Sequence, residues 1–504
     1  MKRLAALVLL LTVLLPWRAG AHIGSPDVFF DGLAGTYPVS ITIRMPGVVP
    51  GRAQINVQVL TNLPVAVAFV PIASQTPASN APPPELAAAV PGASNVFTGE
   101  LWLMASGAYS IDVRVHGSAG DGEVQIPVNS VAIRQLSMSP YLTVTLACLG
   151  AVLFFGGIAI AAAAIGEGVL PQGVPLARRS RRRYWTAAIV TACLLSGAVF
   201  GGKRWVEADA AKFRSRLRDG GWPDLDAHVD AVGSQRILHL SLGEKDLSDE
   251  GRLKLARDHG KLLHLYLIQQ PAHDVFAHIH PVRSGDKTFD VALPPLPEGD
   301  YEVLCDLTLA KSGFSSTATN TIHIPATQAS SGSGLKQDPD DSWSTDAAAT
   351  KDNSPGDTVF RMADGAQVIW KAHPALRALQ PAALRFEVRD SNGKPAVLEP
   401  YMGMLSHAVI LRSDGKIFAH LHPSGTISMA AQEFFDEKVG KKSAVTLHQS
   451  PEAFCGIPGR TGTTLLGLPY EFPTEGNYRL WVQIKIAGRV RTAIFDTTVQ
   501  PALL

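Results

Sequence analysis

Cysteine, methionine and charge are all scarce in this chain. Its 504 residues include 4 cysteines, 8 methionines and 18% Asp, Glu, Lys and Arg, with a formal net charge of +1. So few thiols exclude a disulfide-stapled scaffold at this length. Cys148 and Cys193 sit inside apolar runs, while Cys305 and Cys455 fall in stretches read below as exported, where they can form a bridge or stand as two separate thiols. Near-neutrality without an extended basic face gives no reason to expect nucleic acid as a partner. Catalytic signatures are lacking too: there is no Gly-x-Ser-x-Gly, no His-Glu-x-x-His and no phosphate-binding glycine loop. No acid or base is evidently placed beside an open coordination position, so the chain is not expected to be an enzyme.

What is present is a phrase used twice. Phe276-Ala277-His278-Ile279-His280-Pro281 returns as Phe418-Ala419-His420-Leu421-His422-Pro423. Upstream, His259, Gly260 and His264 align with Met402, Gly403 and His407; downstream, Glu298-Gly299-Asp300-Tyr301 aligns with Glu475-Gly476-Asn477-Tyr478. Histidines retained while their surroundings drift point to duplicated metal sites. In a strand, residues i and i+2 project to one side, so His278 pairs with His280 and His420 with His422. A neighbouring strand then supplies His264 to the first pair and His407 to the second. His259 makes the first site rich in nitrogen, suited to Zn(II) or Cu(II). Met402, Met404 and Met429 offer thioether to the second, which favours copper and Cu(I) above all. The plainer alternatives are histidines that brace a hairpin by bonding backbone groups, and methionines that fill a core. His273, His323, His373 and His448 carry no partner pattern.

Three further apolar stretches organise the chain. Residues 1–21 read as a secretory signal: Lys2 and Arg3, the apolar run Leu4 to Leu15, and Ala19-Gly20-Ala21 at the cleavage point. Residues 141–165 and 185–202 read as transmembrane helices, separated by a basic loop, 166–184, containing Arg178, Arg179, Arg181, Arg182 and Arg183. Arginine enrichment places that loop in the cytoplasm and both large soluble portions outside it.

The soluble portions read as mainly β, organised as three immunoglobulin-like β-sandwich domains at 22–138, 235–325 and 358–504. Each contains a Gly-x-Tyr entering a late strand, at Tyr109, Tyr301 and Tyr478, like the tyrosine near the start of a late strand in immunoglobulin-like sandwiches. Residues 203–234 read as a juxtamembrane helix and connector, and 326–357 as a flexible linker rich in Ser, Gly, Asp and Thr.

The opening Ala21-His22-Ile23-Gly24-Ser25-Pro26, with Asp31-Gly32-Leu33-Ala34-Gly35 and Pro46-Gly47-Val48-Val49-Pro50-Gly51, resembles the exported β-sandwich proteins grouped as YtkA-like or FixH-like. The Asp-His-Gly, Phe-Ala-His-x-His-Pro and Pro-x-Gly-x-Tyr elements resemble related, mostly uncharacterised bacterial membrane proteins. The resemblance implies a sandwich fold in the bacterial inner membrane with periplasmic domains, and a loose association with copper or oxidase biology. Cleavage after Ala21 would free the amine and imidazole of His22 for a further Cu(II) site, as in CopC-like carriers, with His116 the only other histidine in that domain. The expected function is extracytoplasmic metal binding, copper first and zinc second, for sequestration, sensing or delivery to an envelope or membrane protein partner. The rival expectation is a metal-free adhesion or assembly module docking another envelope protein.

Overall fold

A computed structural model of the chain describes residues 27–133, 136, 138–167, 178–219, 224–232, 235–243, 254–326, 337–345, 348–441 and 465–503. The signal segment, His22, His448 and Cys455 lie outside the described residues. The chain divides into two compact units, one of β-sheet (up to Ala132 and from Gly221 on) and one of helix (Ile133–Gly220).

The sheet unit contains three two-sheet sandwiches. In the first, Val28–Ala34, Tyr37–Arg44, Gly51–Val59, Val96–Leu103 and Ala88–Ala89 form one sheet, and Glu85–Leu86, Val65–Ala73, Gly107–Gly117 and Gly120–Ser130 the other. Period-2 alternation explains the burial: Tyr37, Val39, Ile41 and Ile43 point into the core while the residues between them stay part-exposed.

The second sandwich pairs the sheet Leu225–Val232, Gln235–Leu242, Thr288–Ala292, Val282–Arg283 with the sheet Ser315–Ile324, Gly299–Thr308, His264–Gln269, Phe276–Ile279, Ser342–Ser344. The third pairs Thr358–Arg361, Gln367–Trp370, Pro381–Arg389, Leu465–Glu471 with Thr350–Lys351, Arg489–Val499, Gly476–Ile486, Ser406–Arg412, Phe418–Leu421.

The shared tyrosine has one structural meaning throughout. Gly107, Gly299 and Gly476 adopt φ of 136°, 151° and 140°, in the region glycine tolerates. The tyrosine two residues on then bonds back to the residue four before it. Tyr301 Oη donates to the Pro297 carbonyl at 2.9 Å, Tyr478 Oη to Thr474 at 2.8 Å, and Tyr109 Oη accepts from the Ala105 amide at 3.2 Å.

The histidine-bearing strands are buried on both faces. In His264–Gln269, Leu265 and Leu267 join the core of the second sandwich, while Tyr266 and Ile268 join the cluster built on the third. Phe276 stacks on Trp481 with ring centroids 4.9 Å apart, and Tyr266 meets Phe418 at 5.3 Å. The two histidine sheets therefore pack face to face, with aromatic contacts closing the seam.

The first sandwich docks on the third. The Phe29 carbonyl accepts from Thr426 N at 3.0 Å, and Asp31 N donates to the Ser424 carbonyl at 3.1 Å. Arg44 grips Glu471, whose side chain is 1% exposed, through two bonds of 2.9 and 2.8 Å.

Three boundaries differ from the sequence expectation. The connector at 203–234 contributes a true strand, Leu225–Val232, because Leu225, Ala227 and Val229 alternate toward the core. The linker at 326–357 is in part sheet: Ser342–Ser344 pairs with Phe276–Ile279, and Thr350–Lys351 with Arg489–Val499. Its polar composition suits an edge whose aspartates face histidines and lysines rather than solvent. In the helical unit, one continuous helix, Arg178–Asp219, absorbs the arginines, the second apolar run and the expected juxtamembrane helix. No proline interrupts that stretch. Pro140–Gly166 and Arg178–Ala211 are long and apolar enough to cross a membrane. Leu149, Leu153, Phe155 and Ile160 on the first, and Ile189, Leu194, Val199 and Phe200 on the second, are exposed as lipid-facing residues would be.

Candidate metal centre

The packing of the two sheets brings the two expected histidine sets side by side, His264 and His420 lying 5.5 Å apart between ring centroids. His264, His278 and His280 place ligand nitrogens within 4.8 Å of one another, as do His259, His407 and His422. The expected membership is thus corrected: His259 leaves the first domain's set and completes the third domain's. Its backbone explains the reach. His259 has φ 51° and Gly260 φ 82°, in a turn closed by Asp258 and Lys261. The aligned turn, Tyr401 to Met404, repeats this with φ 50° at Met402 and 80° at Gly403. From its own turn His259 reaches the partner sandwich, its ring centroid 5.1 Å from that of His407 and 4.7 Å from that of His422.

His420, expected beside His407 and His422, lies between the two groups. Its ring centroid is 4.4 Å from His422, 5.6 Å from His407 and 5.5 Å from His264. The two repeats support each other crosswise. Asp306 is opposite His264 in its sheet, and Gln483 is opposite His407. Asp306 Oδ2 lies 3.2 Å from His420 Nδ1, and Gln483 Oε1 lies 2.9 Å from His278 Nδ1. Each sandwich therefore orients the central histidine of the other.

These partners fix protons. Carbonyl and carboxylate oxygens accept, so the facing ring nitrogen carries hydrogen and the other keeps a lone pair. His278 donates from Nδ1 to Gln483, His420 from Nδ1 to Asp306, and His280 from Nδ1 to Asp341 at 2.9 Å. His264 donates from Nε2 to the Asp258 carbonyl at 3.1 Å. Lone pairs remain on His264 Nδ1 and on Nε2 of His278, His280 and His420. Those of His264 and His278 face each other at 3.2 Å with no proton between them. The spacing fits an edge of a tetrahedron of nitrogens each about 2.0–2.1 Å from a metal ion. His259 Nε2 and His422 Nε2 are likewise 3.2 Å apart.

Burial holds His278, His280, His407, His420 and His422 well below the ordinary histidine value, and neighbouring imidazoles push them further down. Neutral imidazole is the form that ligates metal. Burial also raises the surrounding carboxyls, Asp306 to about 6 and Asp341 to about 7. Five buried ring nitrogens of these seven histidines have no hydrogen-bond partner among the described residues: Nε2 of His280 and His420, both nitrogens of His407, and Nδ1 of His422. At about 1–3 kcal/mol for each unsatisfied group, that approaches the net stability of a domain. A cation in the centre would relieve the deficit.

Met402 and Met404 are buried in the Tyr401–Met404 turn, and Met429 is buried at the start of the helix Met429–Lys438. Cys305 lies in the core of the second sandwich, away from the histidine face. His116 pairs with Asp121 at 2.9 Å, His323 with Asp300 at 2.7 Å, and His373 approaches Asp352 at 3.3 Å, all apart from the centre. His273 bonds to Gln270 at 3.2 Å. Residue-by-residue reading missed Asp306, Gln483, Asp341 and Tyr401, whose Oη is 3.1 Å from His278 Nδ1. Asp306 and Gln483 occupy aligned positions in the repeat, the one signal that could have singled them out.

A family model for a domain of unknown function (DUF8832) matches residues 361–501, within the third sandwich. No curated protein matches the chain. Among solved structures, titin domains Z1Z2 in complex with telethonin are 11% identical, with 56% of this chain and 98% of that one covered and a TM-score of 0.12. The BSP domain of a biofilm-associated protein is 9% identical, covering 99% and 70% at a TM-score of 0.14. Likenesses at these scores carry no conclusion about function. What speaks to function is the set of seven histidines gathered between two sandwiches, three of them (His407, His420 and His422) within the matched residues.

Proposed function

We propose that this is a membrane-anchored, extracytoplasmic metal-binding protein that holds copper, or alternatively zinc, between its second and third sandwiches for sequestration, sensing or delivery. The observation that carries this reading is the set of buried, neutral imidazoles whose outer nitrogens are anchored by Asp306, Gln483, Asp341 and the Asp258 carbonyl, while the inner nitrogens of His280 and His420 lack partners and those of His264 and His278 face each other. Outer-sphere anchoring of this kind is how proteins orient histidine ligands.

Two ions fit the two groups of three, with His420 between them. The repeat makes them unequal. The relation that sends His264 to His407 and His280 to His422 sends His259 to Met402, so the turn aligned with the His259 turn carries a thioether in place of an imidazole. Nitrogen alone suits Cu(II) or Zn(II), and added thioether favours Cu(I). The arginine-rich start of the second apolar helix supports the exported side for the sandwiches.

The test is metal content and affinity of the full chain in detergent, with Cu(I), Cu(II) and Zn(II) offered separately. Tight binding that disappears in the double variant His278→Ala, His420→Ala supports the reading. Background binding with all three ions would remove it.

A further inference from the structure

We propose that the outer sheet of the second sandwich carries a separate, solvent-accessible cation site at His228, Asp230 and His239, and that this site passes cations inward to the buried histidines. The inward transfer rests on the function proposed above; the surface site does not.

His228 and His239 are directly opposite in the antiparallel pair Leu225–Val232 and Gln235–Leu242, and their rings stack with centroids 5.1 Å apart. His239 Nε2 is 3.6 Å from Asp230 Oδ2, and one ligand atom from each of the three residues falls within a 4.8 Å set. His239 is oriented as a metal ligand would be. Its Nδ1 donates to Asp290 Oδ1 at 2.9 Å, leaving the Nε2 lone pair turned toward Asp230 and His228. Cross-strand pairs on an exposed face need no packing reason to be histidines, and these two are not part of the repeated phrase.

Asp290 links this face to the interior. It is opposite His239 on one side and Val282 on the other. Together with Asp338, Asp341 and His280 it lines a single cavity. His280, Asp338 and Asp341 themselves bring ligand atoms within 4.8 Å. At the inner end, His280 is 4% exposed, and its Nε2 is one of the unpartnered nitrogens of the centre. Ligands therefore run from exposed imidazoles through carboxylates to the first buried histidine. The carboxylates between are harder ligands that hold Cu(II) or Zn(II) less firmly than imidazole, so a cation on them stays ligated yet is free to move on to the buried histidine.

The experiment uses the full chain in detergent, metal-free, with Cu(II) or Zn(II) alone as the probe. Equilibrium stoichiometry and stopped-flow loading are compared for the wild type, the double variant His228→Ala, His239→Ala, and Asp290→Asn. His228 is exposed and His239 part-exposed, so the double variant should fold. It is expected to lose one weakly held ion and to load the buried centre at least tenfold more slowly, with the same final occupancy of that centre. Asp290→Asn should slow loading while keeping the weak ion. Unchanged stoichiometry and unchanged rates would overturn the proposal. If wild-type protein leaves the buried centre empty, the function proposed above fails; the surface site is then judged by Cu(II) electron paramagnetic resonance. Nitrogen coupling that vanishes in the double variant sustains the surface site, and its absence in the wild type removes it.

Discussion

Asp306 and Gln483 hold the same place in the two repeats, and each reaches across the seam to the histidine that the other's sheet presents. Asp306 bonds His420 and Gln483 bonds His278. An exchange of this kind makes the two sandwiches one functional body. Removing either support should loosen one imidazole without removing a ligand. Asp306→Ala and Gln483→Ala are each expected to weaken metal binding by about 10–100-fold, as loss of a ligand's outer hydrogen-bond partner commonly does. Competition against a chelator of known affinity measures it, and an unchanged affinity in both would count against the crosswise support.

The placement of His259 predicts what a fragment should do. A polypeptide of residues 358–504 contains His407, His420 and His422 but not His259. It should bind metal at least tenfold more weakly than the full chain. His259→Ala in the full chain should reproduce most of that loss. Equal affinity of fragment and full chain, measured by titration, would place the ligands within one domain after all.

His407 is fully buried, and neither of its ring nitrogens has a partner among the described residues. Replacing it by leucine removes two unsatisfied polar atoms and keeps roughly the volume. His407→Leu should therefore stabilise the metal-free protein by about 1–3 kcal/mol while impairing metal binding. Denaturant unfolding in the presence of a chelator checks the first half and metal titration the second. Destabilisation of the metal-free form would mean that His407 serves the fold.

Stability of the metal-free protein should depend steeply on pH. Burial lowers the folded-state pKa of His278, His280, His407, His420 and His422, while the unfolded chain keeps values near 6.5. Below about 6.5 the unfolded state binds protons that the folded state refuses. Their contribution is therefore intact above that pH and lost as pH falls toward the lowered folded values. Each such histidine adds a slope of up to about 1.4 kcal/mol per pH unit. Urea midpoints taken between pH 7.5 and 5 should fall accordingly, and bound metal should move the onset to lower pH. The buried carboxyls of Asp306, Asp341 and Asp436, raised to about 6, 7 and 6, take up protons in the folded state over the same range and oppose this fall, but the five imidazoles outnumber them. A flat profile would contradict the burial of these imidazoles.

The loop after His422 also anchors the first sandwich. Gly425 has φ 112°, and a Cβ there would be 1.9 Å from the Phe29 carbonyl oxygen. Gly425→Ala should undock the first sandwich, seen as new protease sensitivity between the sandwiches. Arg44→Ala should act in the same direction, because it leaves the buried Glu471 carboxylate unpaired, at a cost of about 3–5 kcal/mol. If both variants resist protease like the wild type, the docking does not depend on these contacts.

How much of this was legible in the chain itself follows from what is local. Alternation along Tyr37–Arg44 and its counterparts set strands and inner faces, because side chains in a strand obey a period of two wherever it packs. The Gly-x-Tyr entries marked the same corner three times, since the tyrosine bonds only four residues back. The two apolar runs declared membrane-length helices by length and composition. The candidate ligands were legible as well, because His-x-His repeats with their neighbours. Their grouping was not. His259 belongs by sequence to one repeat and by position to the other, and only the packing of Phe276 on Trp481 and Tyr266 on Phe418 sets that seam. Nor could composition reveal that the Asp-rich stretch around Asp341 closes on His280, since a polar segment reads as linker until a buried partner is known. Residue identity and local periodicity determined the sandwiches and the candidate histidines; long-range burial decided which histidines meet, because desolvation and lone-pair direction exist only once the sheets are face to face.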